Sequence, residues 1–167
     1  MPLHIGGMTT ERYSRSAMLL HAAIALALAF QLALGWRLEH IPKGPGLFTA
    51  YQLHKSVGIT ILLLSLVRLA IRYWKPRPAM SPDKGWAQML SKFVHFGLYA
   101  VMIGGPISGW VIVSTAKLKV PTLLFGIVPW PHLPVGMGLH ERAEFAHGML
   151  ATLGLFLFAL HFVGALR

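Results

Sequence analysis

Polar residues are spread unevenly along this chain, and the gaps between them outline four long apolar stretches. Ser16 to Trp36 (SAMLLHAAIALALAFQLALGW) carries no charge. It is long enough to cross a hydrocarbon layer of about 30 Å, which takes about 20 helical residues. The run sits where a secretory signal would. It exceeds a usual signal core, however, and lacks a small-residue cleavage site followed by a soluble domain, so we expect a retained first helix. The second stretch, about 51–73, is YQLHKSVGITILLLSLVRLAIRY, with Lys55 near one end and Arg68 and Arg72 near the other, where long side chains snorkel to the interface. The third, about 93–114, is FVHFGLYAVMIGGPISGWVIVS; Pro106 has no N–H to give and should bend or loosen the helix. The fourth, about 144–166, is EFAHGMLATLGLFLFALHFVGAL. Trp36, Trp74, Trp86 and Trp110 fall at or near span ends, as interfacial aromatics do. The expected fold is an all-α integral membrane protein, a four-helix transmembrane bundle forming a single domain over residues 1–167.

Composition agrees. Only 12% of the 167 residues are charged, against about a quarter in soluble domains, and the mean hydropathy is +0.60. The net charge of +10 could mark a nucleic-acid binder. The basic residues lie between apolar segments instead of along one helical face, so membrane loops explain them and nucleic acid does not. Arg12, Arg15, Arg72, Lys75, Arg77 and Lys84 fall on one side of the bundle; Arg37, Lys43, Lys117, Lys119 and Arg142 fall on the other. By a small margin this favours N-in, C-in. Residues 115–142 hold Pro121, Pro129, Pro131 and Pro134 among Gly and apolar residues, and should fold back over the outer face.

No cysteine is present, which excludes disulfides, thiolate metal sites and the covalent attachment of c-type haem. Histidine is the remaining ligand, and five of nine fall within spans: His21, His54, His95, His147 and His161. Antiparallel spans put His54 and His147 toward the outside, and His21, His95 and His161 toward the inside. His147 and His161 are 14 residues apart, so they project within about 40° of each other at depths roughly 21 Å apart. A membrane-embedded histidine is costly without a partner and marks function by default. Two outer imidazoles on different helices can share one metal; His161 can pair with either inner candidate, His21 or His95. Without sulfur ligands, and with carboxylates nearly absent from the spans, two bis-histidine b haems fit best. Fourteen residues beyond His21 and His95 stand Gly35 and Gly109, giving clearance at the outer level. The same step beyond His54 reaches Arg68, placed to meet a haem propionate. Snorkelling explains Arg68 equally well, and helix packing explains the glycines.

The segments LLHAAIAL, YQLHKSVGITILLLSLVRLAIR and KFVHFGLYAVMIGGPISGW, with the pair His147 and His161, resemble the bacterial di-haem cytochrome b561 family. More distantly they are similar to cytochrome b subunits of nickel–iron hydrogenases and formate dehydrogenases. The resemblance implies a multi-pass protein of the bacterial inner membrane with two haem b groups that exchanges electrons with quinone. It implies His54 and His147 as ligands of the outer haem iron and His21 and His161 of the inner. His95 then stands as a quinone-side group or an alternative ligand. The partner at the outer face would be a one-electron donor or acceptor, either superoxide, with electrons passed to ubiquinone, or a periplasmic protein fed by quinol. Lys55, Arg37, Lys43, Lys117 and Lys119 could steer a small anion there, although ordinary loop charge accounts for them too. A homodimer is compatible with all of this. The competing expectations are a haem-bearing subunit of a larger hydrogenase or dehydrogenase complex, and a histidine-lined transporter without haem. Arg15 is placed near the inner face by depth alone.

Overall fold

The computed structural model describes residues 15–74 and 85–166. Arg12, Lys75, Arg77 and Lys84, which carry much of the orientation expectation, lie outside the described residues. Four helices form the body: Arg15–Leu38 (α1), Pro45–Trp74 (α2), Trp86–Thr115 (α3) and His140–Ala165 (α4). All four are long and apolar enough to cross a membrane. The helical form follows from the medium, because hydrocarbon offers no partner for backbone N–H and C=O groups and a helix satisfies them internally. Each helix extends beyond its apolar run. Starts and stops come from local chemistry: α2 opens on Pro45, whose missing N–H costs nothing in a first turn. α3 begins after Gly85 in an extended conformation and ends as Ala116 turns extended.

Pro106 lies inside α3. α3 runs through it without interruption, and the neighbouring carbonyl of Gly105 takes side-chain donors from Ser108 (2.7 Å) and His147 (3.0 Å). The Gly105 carbonyl thereby serves as an acceptor for two side chains.

The connection from α3 to α4 departs from a purely helical fold. Thr122–Leu124 (β1) and Val128–Trp130 (β2) pair antiparallel, with Thr122 opposite Trp130 and Leu124 opposite Val128. The turn passes through Phe125 at φ 50° and Gly126 at φ 77°, left-handed conformations that glycine adopts at little cost. This hairpin folds back on the bundle as expected. Gln52 Nε2 donates to the Pro121 carbonyl (2.8 Å), and the Phe125 N–H donates to Ser56 Oγ (2.9 Å). On α3, Trp110 Nε1 donates to the Pro131 carbonyl (2.8 Å) and the Leu133 N–H to Ser114 Oγ (2.9 Å). A 3-10 turn, Met137–Leu139, leads into α4.

Packing is uneven around the bundle. α3 lies tightly along α4, and α1 and α3 flank α2, whereas α1 and α4 touch only sparsely. The core gathers Ile24, Leu28, Ile61, Leu98, Val101 and Leu157 midway along the helices, with Ile61 1% and Leu157 2% exposed. Close approach of α3 and α4 depends on small residues. A Cβ at Gly154 would stand 2.8 Å from Val101 Cγ1, and one at Gly97 2.5 Å from Leu157 Cδ1. Without a hydrophobic drive between helices in lipid, such contact is what holds them together. Gly154→Val should therefore force α3 and α4 apart and cost about 1–3 kcal/mol of overpacking. A lower thermal midpoint in detergent would register it; an unchanged midpoint would show that the two helices do not meet there.

Candidate functional site

The helices carry histidines to two levels. At the end bearing the hairpin, His54 of α2 faces His147 of α4, ring centroids 6.1 Å apart and planes at 74°. At the opposite end, His21 of α1 faces His161 of α4 at 5.9 Å and 66°. His95 of α3 approaches the same His161 at 5.1 Å and 84°. The structure thus brings all five span histidines into two groups, both on α4. The apolar core fills the space between them.

Each imidazole is set by its surroundings. His147 Nδ1 lies 3.0 Å from the Gly105 carbonyl and 3.0 Å from Ser108 Oγ. Because the Ser108 hydroxyl donates to Gly105, Nδ1–H of His147 is the donor there, which leaves Nε2 as the free lone pair. Metal-ligating histidines are commonly held in this way. His95 is fixed similarly, with Nδ1 2.6 Å from the Ser91 carbonyl. His54 has a buried Nδ1 with no protein partner, and its backbone carbonyl accepts from Gln31 Nε2 (3.0 Å). The two glycines expected to give clearance lie at this level, each against an imidazole. A Cβ at Gly35 would stand 3.3 Å from His54 Cε1, and one at Gly109 would stand 3.2 Å from His147 Cε1.

The opposite level opens into a cavity lined by His21, Arg68, Arg72, His95, Tyr99 and His161 among apolar residues. Five of those six can carry positive charge, and among the described residues no carboxylate lines the cavity, so its chemistry suits an anionic group. Arg68 also donates to the Ala17 carbonyl (3.3 Å), which tethers it beside His21. Arg15 lies at the first turn of α1 and is exposed, apart from this lining. Lys55 adjoins His54 in sequence.

Two imidazoles sharing one metal through bonds of about 2 Å stand with centroids about 6 Å apart. The His54–His147 and His21–His161 separations match that span, and the 5.1 Å of His95–His161 falls short of it. Among the described residues no group of three or more His, Cys, Asp or Glu side chains is arranged to hold a bare metal ion. Paired nitrogens suit a metal that brings its own equatorial ligands, as haem iron does. The unpartnered nitrogen of His54, the glycine clearance and the cationic cavity all fit that group.

Several contributors carry weak sequence signals. Gln31 is a lone amide in an apolar run, Ser108 sits within GGPISG, and Arg72 resembles any snorkelling cation. Their neighbours give them meaning, and those neighbours are 23 to 39 residues away for Gln31 and Ser108.

Four membrane-crossing helices with facing histidine pairs define a membrane haem protein of the b type. The chain belongs to the prokaryotic cytochrome b561 family, whose model matches residues 12–167. It is similar to cytochrome b561 homolog 2 of Escherichia coli K12, 29% identical over 165 residues, covering 95% of this chain and 85% of that protein. It is also similar to cytochrome b561 homolog 1 of the same organism, 24% identical over 162 residues, covering 93% and 89% respectively. It is accordingly a multi-pass protein of the bacterial inner membrane that binds haem and transfers electrons.

Gly109→Val would place two methyl groups against the His147 ring, and we expect the purified protein to retain less haem by pyridine haemochrome assay. Gly148→Ala, whose Cβ meets nothing within 4 Å, should retain the full complement. Equal haem in both variants would refute the role given to Gly109.

Proposed function

We propose that this protein is a di-haem b-type cytochrome that carries electrons across the membrane between quinone and a one-electron partner at the other face. The observation that supports it most directly is the pairing of imidazoles at both levels of α4, at 6.1 Å and 5.9 Å. In this proposal His54 and His147 hold the iron at the hairpin end, and His21 and His161 hold the other. The hairpin end faces outward and both termini face inward. Held by these histidine pairs, haem would supply one-electron exchange, the chemistry that a carrier between quinone and a one-electron partner needs.

The chain's own groups do the rest. Gly105 and Ser108 keep the His147 Nδ1 proton in place, so Nε2 stays aimed across the bundle. Arg68 and Arg72 offset the negative charge of propionates at the inner level. The Ile61–Leu157 layer excludes water between the two levels, which keeps proton movement apart from electron movement. His95 stands outside the pair. With Nδ1–H given to Ser91, its Nε2 is the atom free to take or give a proton as quinone changes oxidation state. At the outer face the one-electron partner is superoxide, whose electron passes to ubiquinone, with Lys55 and the loop cations Arg37, Lys43, Lys117 and Lys119 steering the anion.

Haem counting separates these assignments. Wild type should hold two b haems per chain, His147→Ala and His21→Ala one each, and His95→Ala two. One haem in wild type, or loss of a haem from His95→Ala with none lost from His21→Ala, would sink the ligand assignment. For the outer partner, ubiquinone reduction on generating superoxide should be faster with wild type than with His54→Ala. Equal rates would leave a periplasmic protein as the partner.

A further inference from the structure

Buried polar groups in folded proteins almost always have partners, so a cluster of them without any points to something that binds there. Among the described residues seven buried side-chain atoms have no protein partner, and three belong to one short stretch: Thr122 Oγ1, Trp130 Nε1 and His132 Nδ1. Thr122 is 3% exposed. Thr122 and Trp130 are directly opposed in the β1–β2 pair, which puts their side chains on one face with Cβ atoms about 5 Å apart. His132 follows two residues later. Two further unpartnered atoms, Gln31 Oε1 and His54 Nδ1, belong to the same end of the bundle.

The hairpin is held at the level of the His54–His147 pair. Gln52 and Ser56, which bond to Leu123 of β1 and to the residues flanking that strand, bracket His54 by two residues each, about 3 Å along the helix axis. Trp130 packs on Trp110, centroids 5.4 Å apart, and Trp110 follows Gly109, which faces His147. An indole N–H only donates, a threonine hydroxyl donates or accepts, and a neutral imidazole nitrogen can do either. Trp130 Nε1 needs an acceptor, and Thr122 Oγ1 and His132 Nδ1 can both donate to one as well. Leaving such groups buried and unmet is costly.

We infer that the hairpin base, through Thr122 Oγ1, Trp130 Nε1 and His132 Nδ1, is the carboxylate-binding cap for the propionate edge of the haem held by His54 and His147. The inference rests on that ligand assignment. It gives the loop a chemical task beyond covering the bundle, because donors fixed against a propionate withdraw negative charge from the haem edge. They thereby favour the ferrous state.

The experiment uses the full chain in detergent, loaded either with haem b or with its dimethyl ester, in which both carboxylates are blocked. Trp130→Phe keeps the stack on Trp110 and removes only the N–H; Thr122→Val keeps shape and removes only the hydroxyl. The midpoint of each haem is read by spectroelectrochemical titration, and the haem concerned is the one lost in His147→Ala. With haem b, the Thr122→Val, Trp130→Phe double variant should lower that midpoint by about tenfold in the ferrous-to-ferric ratio, about 59 mV for a one-electron couple. The other midpoint should not move. With the dimethyl ester, wild type and double variant should coincide. A midpoint unmoved by the double variant overturns the inference, and so does a shift that persists with the ester, which would give the donors to buried water. Thr122→Val alone supports the same comparison should the double variant lose haem. Failure of the ligand assignment would show separately, as a haem spectrum indifferent to His147→Ala.

Discussion

The constraint on which the rest of the structure depends is the cost of keeping an imidazole in hydrocarbon. A ring with two polar nitrogens is tolerated there only when both have partners, and this chain places five such rings inside four spans. One nitrogen of His147 is satisfied by Gly105 and Ser108, and one of His95 by Ser91. The rings of His54 and His147, and of His21 and His161, face one another across the bundle at centroid separations that a shared metal would span. The protein therefore spends its few polar groups on orienting histidines. Apolar packing between the two levels keeps the groups apart.

That division explains why the bundle packs unevenly. α3 and α4 close on each other through Gly97 and Gly154, giving a rigid pair that carries three of the five span histidines. α1 meets α4 only sparsely, and this is where His21 faces His161. A uniformly tight bundle would hold its helices together better but would have no room for a flat macrocycle. Gly35 and Gly109 solve the same problem at the hairpin end, where any side chain would push a ring aside. Small residues thus serve two opposite purposes in one fold: they bring backbones together in the middle and keep space open toward one end.

Much of this was legible in the sequence because it depends on period and depth. Four apolar runs gave four spans, and the start or end of each span fixed the level of its histidine. Gly35, Gly109 and Arg68 were found by stepping 14 residues, nearly four turns, along a helix. What escaped was set by contacts distant along the chain. The hairpin over residues 122–130 is written in prolines and apolar residues that read equally well as an irregular loop. Its hold on the bundle comes from Gln52 and Ser56, 67 to 71 residues away. Pro106 was expected to bend or loosen α3; the helix runs through it, and the carbonyl of the preceding Gly105 meets His147. Between His21 and His95 periodicity could not choose, since both begin outgoing helices. The family resemblance favours His21, and in the structure both rings approach His161, with centroids at 5.9 Å and 5.1 Å.

One helix supplies a histidine to both levels, and this has a mechanical consequence. The 14-residue step from His147 to His161 sets the two levels roughly 21 Å apart and on nearly one face, independently of the loops and of the other helices. The facing histidines need no such ruler, because His21 and His54 lie on separate helices that can slide and tilt until each ring meets its partner. Errors in packing at one level are therefore not passed to the other through α4, and on the proposed di-haem reading the distance between the two centres would be held by hydrogen bonds within that helix. A design with four independent ligand helices would have to fix that distance through side-chain packing, which in lipid rests on weak contacts alone. The tight seam of α3 against α4 then acts to keep the ruler straight. The looser α1 side leaves room for what the paired histidines hold.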